Sequence, residues 1–579
     1  MEFFSNRNHL RSTAALGLAF AFVQCPQVAL ALEGGAIGAA EGDIGSLITL
    51  QTQRGKRSEV PLISLDARTG RIRYGKYAAR GEEDATNAVP DFSRAGYRGG
   101  GVALPSRESV TIRRILMPQA GASDAARIQS AIDEVAAFPA DERGLRGVVL
   151  LKRGRYTLED TLRLAVSGVI LRGDGRGANG TVLRSTVRGD KGRIIEVGEA
   201  ESHVPAPDAA ASRTEISERS VPVGAMRVAM HSTAGYSSGD QVVIVRHPNE
   251  YWLGHAGIDT QQYGWTPKSY VMYYERVVTS LGDGFINIDA PIVDAIDKKF
   301  GGGSVYRSNV KRLSEIGIED LQLEGDPETG IENGTPNAGP YFGIRLGGVK
   351  DAWVRNVAIR YVSHGISTTH GAHFNTFEDV AYLDPRYGET QGAQRYAFSY
   401  EGNASFNLTQ RSFAEGARHA FLTGAKVPGP NVFLDCIAIG STNDSGPHHR
   451  WATGILYDNV RDTSMRAQNR RNSGPGHGWA GAQQMFWNSE SEVFVLHSPP
   501  FAMNWAVGQK GRTTPGQFAR EEVPGSMGPF DPDVMPRSLY LQQLRDRLGD
   551  GAVLNIATPD QARGRIWHEI EAEKLREGR

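Results

Sequence analysis

The stretch NVFLDCIAIG, residues 431–440, places one Asp between two short apolar runs. The same arrangement recurs along the chain, in IEDL, VRNV, FEDV, LTQR, FLDC, YDNV and FWNS. Its polar members are Asp320, Asn356, Asp379, Gln410, Asp435, Asn459 and Asn488, so that successive members are 23 to 36 residues apart. A minimum spacing with a variable excess is typical of a solenoid, in which each coil has fixed strands and loops of variable length.

The segments between these polar positions are short and β-rich. AWVRNVAIRYV (352–362) is one example, and Gly, Asn and Pro separate such runs without any ten-residue amphipathic helix. Glycine is abundant, at 69 of 579 residues, which suits a fold with many tight turns. The pattern therefore predicts an all-β fold, a parallel β-helix. A β-sandwich is the alternative, but its strands are not expected to repeat one polar position at this interval.

Other segments predict additions to this solenoid. SDAARIQSAIDEVAAF (123–138) carries an apolar helical stripe and predicts an N-terminal capping helix over the open solenoid end. Residues 200–305 interrupt the rhythm and predict a small inserted β-module. The predicted organisation is an N-terminal region at 32–108, a β-helix at 109–510 that contains the module, and C-terminal loops with a short helical tail at 511–579.

The first 31 residues have the layout of a secretory signal peptide. Arg7 and Arg11 precede an apolar run, and Ala29-Leu30-Ala31 offers a cleavage site. We therefore predict a secreted or periplasmic protein with no later membrane span. The 64 basic and 65 acidic residues are nearly balanced, which argues against a nucleic-acid partner. Cys436 is the one cysteine after the signal and lies in an apolar run, which indicates a buried residue.

One segment carries a family resemblance. GVVLLKRGRYTLEDTLRLAVSGVILRGDG (147–175), preceded by ARIQSAIDE (126–134), resembles the entry coils of the pectate-lyase-like right-handed parallel β-helix superfamily. DFSRAGYRGGGVALP (91–105), GPHHRWATG (446–454) and GHGWAGAQQMFWN (476–488) are similar to blocks of a secreted, uncharacterised subgroup. The resemblance implies a right-handed β-helix and an extracytoplasmic, carbohydrate-active protein. It implies no residue role, because the superfamily contains lyases, hydrolases, epimerases and phage tailspikes.

Four inserts between the repeated polar positions are rich in functional side chains, and they span residues 367–375, 382–403, 443–454 and 469–482. Since equivalent positions on neighbouring coils stack about 4.8 Å apart, we expect these inserts to line one cleft. The residues that we assign to binding a polysaccharide substrate are His370, His373, Asn375, Arg395, Trp451 and Trp479. The residues that we assign to catalysis are His448, His449, Arg450, His477 and Tyr400.

These side chains suit a polysaccharide lyase that cleaves a uronate-containing chain by β-elimination. The reaction needs a cation at the carboxylate, a base for the C5 proton and an acid for the leaving oxygen. Arg450 suits the carboxylate, one histidine the base and Tyr400 the acid, while Trp451 and Trp479 suit stacking on sugar rings.

Two other functions stay open. A glycoside hydrolase needs paired carboxylates, for which the candidates are Glu378, Asp379, Asp384, Glu401, Asp435 and Asp444. A noncatalytic carbohydrate-binding or adhesin-like β-helix would use the same aromatics and arginines without a base.

A metal site is not expected at the adjacent pair His448-His449. Neighbouring side chains of an extended chain point to opposite sides, so we expect one histidine to face the cleft and the other to face the structure. The sequence shows no plain carboxylate cluster for calcium, which we leave open, and no other cofactor is indicated. His419 is interpreted as structural, and Arg470 as part of a solvated loop.

Overall fold

The computed structural model describes residues 62–75, 88–119, 123–199, 204–209, 212–258, 260–327, 340–386, 392–517, 525–528 and 534–577. The predicted signal peptide, residues 1–31, lies outside these ranges. Within them, none of the helices has both the length and the apolar character needed to cross a bilayer.

Three parallel sheets form the body of the chain, and they confirm the prediction of a parallel β-helix. Sheet 1 is built from Ile112–Leu116, Gly147–Leu151, Val169–Arg172, Leu408–Gln410, Asn431–Leu434, Ile455–Asp458, Met485–Trp487, Trp505–Val507 and Ser526–Met527. Sheet 2 is built from Gly154–Leu158, Thr181–Ser185, Phe413–Glu415, Ile437–Ile439, Arg461–Ala467, Glu490–Leu496 and Lys510–Thr513. Gly317–Glu324, Trp353–Arg360 and Thr376–Leu383 run through both sheets. Sheet 3 is built from Leu162–Leu164, Gly189–Gly198, Pro340–Gly347, His364–Thr368, Tyr396–Tyr400, His419–Thr423 and Gly446–Pro447.

The repeated polar residue marks the corner between sheets 1 and 2. Six of its seven members adopt left-handed backbone angles, with φ between 47° and 57°, namely Asp320, Asn356, Asp379, Asp435, Asn459 and Asn488. Asn and Asp tolerate this conformation better than other side chains, which explains their recurrence. The seventh member, Gln410, was placed one residue too early: it pairs with Glu378 and Leu434, and Arg411 occupies the corner with φ 48°.

A second stack of polar residues lies inside the solenoid, where each coil enters sheet 1. Asn375 Nδ2 donates to Asn407 Oδ1 at 2.8 Å, and Asn407 Nδ2 donates to Asn431 Oδ1 at 3.0 Å. All three side chains are fully buried, and they also bond backbone groups of neighbouring coils. This ladder satisfies buried backbone groups at a bend, where no strand partner is available.

A separate antiparallel sheet spans residues 214–307 and so extends two residues beyond the range 200–305 that was predicted as an insertion. Its strands, in spatial order, are Thr214–Glu215, Gly303–Arg307, Gln241–Arg246, Met272–Gly282, Phe285–Ile288 and Arg227–Ala229. A two-stranded sheet, Ser220–Val221 with Ile296–Asp297, and the short helices Glu250–His255 and Thr260–Tyr263 accompany it. We call this unit the inserted module.

Helices from two parts of the chain pack on the solenoid. The helix Ala125–Ala136 buries Ile128, Ile132 and Val135 in the same apolar cluster as the first coils. Toward the other end, the helices are Leu539–Leu548, Asp550–Leu554, Pro559–Arg563 and Trp567–Glu577. Leu539 and Leu544 join an apolar cluster with Leu434 and Trp487 on the outer face of sheet 1.

Candidate functional site

The loop at 448–451 follows the last strand of sheet 3, Gly446–Pro447. Gly446 lies so close to the next coil that a Cβ would meet the Arg466 carbonyl oxygen at 1.9 Å, which explains the glycine. The backbone N–H of Arg450 donates to the carbonyl of His477 at 3.0 Å, and that of Trp451 donates to Trp479 at 2.7 Å. The third and fourth predicted inserts therefore stack on neighbouring coils.

Four histidines meet at this point. The ring centroid of His448 lies 4.5 Å from that of His419, 5.3 Å from His449 and 5.1 Å from His477. The rings of His449 and His477 are 4.9 Å apart. Together with Arg450 and Arg470, these side chains form what we call the histidine–arginine cluster.

The expectation that His448 and His449 point to opposite sides was wrong. Arg450 and Trp451 both have φ 54°, so the chain turns sharply here instead of running extended. Both imidazoles consequently contact His477. Within the described ranges, no group of three or more His, Cys, Asp and Glu side chains has a metal-binding arrangement.

Arg470 fixes the tautomer of His448. Its Nη1 donates to His448 Nδ1 and to the His448 carbonyl oxygen, both at 2.8 Å. A guanidinium only donates hydrogen bonds, so Nδ1 is the acceptor and Nε2 carries the ring proton. That nitrogen faces the Tyr396 hydroxyl at 3.4 Å. His448 therefore has no free lone pair with which to act as a base.

His449 and His477 keep their lone pairs. Neither ring has a hydrogen-bond partner among the described residues, and Nδ1 of each is buried. Gly474 makes room for His477, because a Cβ there would lie 2.1 Å from the ring. Burial, followed by Arg450 and Arg470, lowers the pKa of His449 to about 4. Burial, followed by Arg470, lowers the pKa of His477 to about 3, so both imidazoles are neutral at pH 7.

His419, which the sequence analysis interpreted as structural, completes the cluster. Its Nδ1 contacts the Asp444 carbonyl oxygen at 2.6 Å and lies 3.7 Å from the Asp444 carboxylate. Burial lowers its pKa to about 4. The signal that could have found it is the coil interval: His419 pairs with Tyr396 in the neighbouring strand of sheet 3.

The arginines around the cluster form no salt bridge with a described carboxylate, and Asp444 supplies negative charge to Arg470 from beyond salt-bridge distance. Within the described ranges, no carboxylate forms a salt bridge with Arg418, Arg450, Arg466 or Arg470. Arg470 is nevertheless 8% exposed, and its Nε has no acceptor there. Arg450 instead stacks on Trp265 of the inserted module, with its guanidinium carbon 3.5 Å from the ring centroid. Uncompensated buried cations are costly, so this arrangement suits an anionic ligand.

The aromatic residues that we assigned to the site lie elsewhere. Tyr400 is inside the solenoid, where its hydroxyl lies 2.6 Å from that of Thr409, so it cannot reach a substrate outside. Trp451 and Trp479 are buried in the core of the inserted module rather than exposed to sugar rings. The Trp451 indole donates to Asp294 at 2.9 Å, and that of Trp479 donates to the Ala256 carbonyl at 2.7 Å. Both tryptophans anchor the module.

The remaining predicted binding residues do not join the cluster by any described contact. Asn375 belongs to the internal ladder. His373 is buried beside Glu275 of the inserted module, with Nε2 3.5 Å from Oε1, and His370 contacts Asn403 at 3.2 Å. Arg395 lies nearer, since its carbonyl oxygen accepts the N–H groups of Arg418 and His419, but its guanidinium bonds Gly416.

Comparisons with known proteins find structural similarity at low sequence identity. No protein-family model and no curated protein matches its sequence. The tailspike of Pseudomonas phage LKA1 is similar in structure, at 15% identity over 68% of this chain and 56% of the tailspike, with a TM-score of 0.42. The alignment thus spans little more than half of that protein.

Two bacterial structures are also similar at low sequence identity. The mannuronan C-5 epimerase A-module of Azotobacter vinelandii is 12% identical over 73% of this chain and 88% of the module, with a TM-score of 0.30. The DFA-IIIase of Arthrobacter chlorophenolicus, solved with GF2, is 9% identical over 70% of this chain and 73% of the enzyme, with a TM-score of 0.34. Similarity this low does not define a substrate, and the fold assignment rests on the strand pairing.

Proposed function

We propose that the protein acts on a uronate-containing polysaccharide and cleaves it by β-elimination at the histidine–arginine cluster. The observation that supports this proposal is the pairing of neutral imidazoles with arginines that have no carboxylate partner in the described chain. Elsewhere, the buried Arg172 pairs with Glu319 at 2.7 Å and the half-buried Arg537 with Asp435 at 2.7 Å, whereas the buried Arg276 donates to backbone carbonyls. The unmatched arginines suit the carboxylates of an acidic sugar chain.

The cluster supplies the groups that the elimination requires. Arg450 and Arg470 bind the uronate carboxylate and stabilise the charge that develops when C5 loses its proton. His449 or His477 removes that proton, since each is neutral and keeps its lone pair. The C4–O bond then breaks, a C4–C5 double bond forms, and the leaving oxygen takes a proton.

We assign the proton donor to Tyr396 in place of Tyr400. Its hydroxyl is 3.4 Å from His448 Nε2, and its ring centroid is 5.6 Å from that of His448. Burial raises the pKa of Tyr396, so the hydroxyl stays protonated at neutral pH. His448, held by Arg470, positions this hydroxyl rather than taking part as a base.

Glycoside hydrolysis has less support at this cluster. Of the six candidate carboxylates, four form salt bridges with arginines, namely Glu378, Asp379, Asp384 and Asp435. The Asp444 carboxylate lies 3.7 Å from His419 Nδ1. Burial raises the pKa of Glu401, the sixth candidate. An Asp444→Asn or Glu401→Gln variant that loses all turnover while His449→Gln keeps it would move the assignment to a hydrolase.

The test is a panel of uronate-containing and neutral polysaccharides, with two products measured in parallel. Elimination yields the ultraviolet absorbance of an unsaturated uronate together with a new reducing end. New reducing ends without that absorbance would mean hydrolysis, and binding without any product would mean a noncatalytic protein.

Variants connect the chemistry to the cluster. We expect His449→Gln and His477→Gln to reduce turnover, in the range of about a hundredfold to ten-thousandfold for whichever residue is the base. His568→Gln, an exposed histidine of the C-terminal helix, is the matched control and should keep full turnover. Full turnover in both cluster variants would refute the assignment.

A further inference from the structure

A second polar cleft lies on the outer face of sheet 1, whereas the histidine–arginine cluster follows the last strand of sheet 3. It measures about 240 Å³ and is lined by the glycine-rich loop 96–104, by sheet 1 and by residues 555–558. The proposed reaction uses none of these residues. The loop belongs to DFSRAGYRGGGVALP (91–105), a block that the sequence analysis singled out without a role.

The cleft is held open by fixed contacts rather than by flexible loops. Asn555 Nδ2 donates to the Gly101 carbonyl at 2.9 Å, and the Tyr540 hydroxyl donates to the Ala95 carbonyl at 2.6 Å. Gly101 has φ 78°, and a Cβ there would meet the Ala552 Cβ at 2.8 Å. The close approach of residues 101 and 552 therefore requires glycine at position 101 and shapes this wall of the cleft.

Two buried polar atoms of the lining lack partners. Gln410 is fully buried and donates from Nε2 to Glu378 at 2.9 Å and to the Ile556 carbonyl at 3.2 Å, but its Oε1 accepts nothing. Arg355 bonds the Pro105 carbonyl and Glu319 through Nη2, but its Nε donates to nothing in the described chain. Other buried arginine Nε atoms of the described chain also lack partners, but these two atoms belong to the lining of one cleft, where a ligand or ordered water would satisfy them.

The charges around this cleft are balanced, in contrast to the histidine–arginine cluster. Arg411 pairs with Glu378 and Asp379, both at 2.9 Å, and Arg355 pairs with Glu319 at 2.5 Å. A charged ligand would find no free counter-charge among these residues. The orphan acceptor and the orphan donor suit a neutral ligand whose groups both donate and accept, as hydroxyl groups do.

We propose that this cleft binds one neutral sugar unit of a saccharide, independently of the reaction at the histidine–arginine cluster. At roughly 30 Å³ per water molecule, its volume holds about eight waters, which is the scale of a single pyranose ring. The Gln410 amide oxygen accepts one sugar hydroxyl, and the Arg355 Nε–H donates to another sugar oxygen. The site holds a saccharide on the protein and takes no part in bond cleavage.

The test uses saturation-transfer NMR and calorimetry on the full chain, with glucose, mannose, galactose and glucuronate as probes. Ala103 is exposed and lines the cleft, so Ala103→Trp fills it without touching the core. Ala140→Trp, at an exposed alanine that does not line the cleft, is the matched control. We expect at least one neutral hexose to bind, to lose its signal in Ala103→Trp and to keep it in Ala140→Trp.

A second variant checks the polar contact. Gln410→Met keeps the length of the side chain but removes its amide oxygen, and it should weaken hexose binding by about tenfold, as loss of one good hydrogen bond does. The proposal is overturned if no neutral hexose binds, or if binding survives Ala103→Trp unchanged. Glucuronate that binds equally well to Ala103→Trp occupies the histidine–arginine cluster and says nothing against the lyase. Full lyase turnover in Ala103→Trp is expected, so the two proposals fail separately.

Discussion

Replacing Trp451 with Ala distinguishes between two roles of this residue, an anchor for the inserted module and a platform on which sugar rings stack. The indole is fully buried, makes an edge contact with Trp252 at 4.8 Å and donates to Asp294 at 2.9 Å. It lies two residues from His449, so a sugar-binding role is the natural alternative. An anchor should stabilise the inserted module, whereas a platform should act on substrate affinity alone.

The expected cost follows from the contacts. Truncating a buried Trp to Ala costs about 3–5 kcal/mol through lost packing and the cavity that remains. The hydrogen bond from the indole to the Asp294 carboxylate contributes about 2 kcal/mol. After its loss, the carboxylate keeps its contact with Arg246, whose Nε lies 3.4 Å away. Trp451→Phe keeps most of the ring contact and loses only the hydrogen bond, so we expect about 2 kcal/mol for it.

The measurement is amide hydrogen exchange, followed in peptides of the module strands Gln241–Arg246 and Met272–Gly282. A loss of about 4 kcal/mol should speed exchange there by about a thousandfold in Trp451→Ala, if exchange follows local opening. Trp451→Phe should give a smaller acceleration. Unchanged exchange together with a raised KM would refute the anchor and restore the platform.

Three further outcomes follow from the described contacts. Tyr400→Phe should keep turnover and lower the free energy of unfolding by about 1–2 kcal/mol, because its internal hydrogen bonds to Thr409 and to the Val432 carbonyl are lost; a large fall in kcat with unchanged stability would contradict this. Asn407→Ala removes ladder bonds to neighbouring coils and should cost about 3 kcal/mol in denaturant unfolding, several times the cost of an exposed Asn472→Ala. The stability that neutral His419 and His449 contribute should fall as the pH decreases from about 6.5 to about 4, since burial lowers their folded-state pKa to about 4 and the unfolded chain then binds more protons. The buried Asp458 and Asp462, whose pKa burial raises to about 7 and about 6, act in the opposite direction. Thermal unfolding of the wild type and of His449→Gln across this range isolates the histidine contribution, and equal pH slopes in the two proteins would contradict it.

The solenoid was predictable because its signal is local and repeated. Each corner between sheets 1 and 2 needs a left-handed residue, and Asp435 or Asn459 meets that need with a short polar side chain. The exception shows the limit of the pattern. Arg411 takes the corner without being Asn, Asp or Gly, because Glu378 and Asp379 hold its guanidinium in place, and this long-range contact leaves no mark in the local sequence.

The direction in which individual side chains point was less predictable than which loops lie next to each other. The inserts at 443–454 and 469–482 do meet, because coil stacking brings equivalent loops together. Yet Tyr400 points inward, and Asn375 joins a ladder rather than a cleft. Side chains alternate between the two faces of a strand, and each bend interrupts this alternation. An error of one residue in the position of a corner therefore reverses the face that is predicted for the side chains after it. Left-handed angles at Arg450 and Trp451 have the same effect on the two adjacent histidines.

Charge compensation distinguishes the two polar regions of the solenoid more sharply than their residue types do. On sheet 1, Arg172, Arg355 and Arg411 each have a carboxylate partner, so that region is complete without a charged ligand. At the end of sheet 3, Arg470 is as buried as Arg172 but donates to an imidazole instead. Burial is the main cause of the lowered pKa of His449 and His477, and nearby arginines, including Arg470, lower it further, so a ligand that brings negative charge would stabilise the arginines and raise both pKa values. Substrate binding would thereby make the imidazoles stronger bases at the moment when a base is needed.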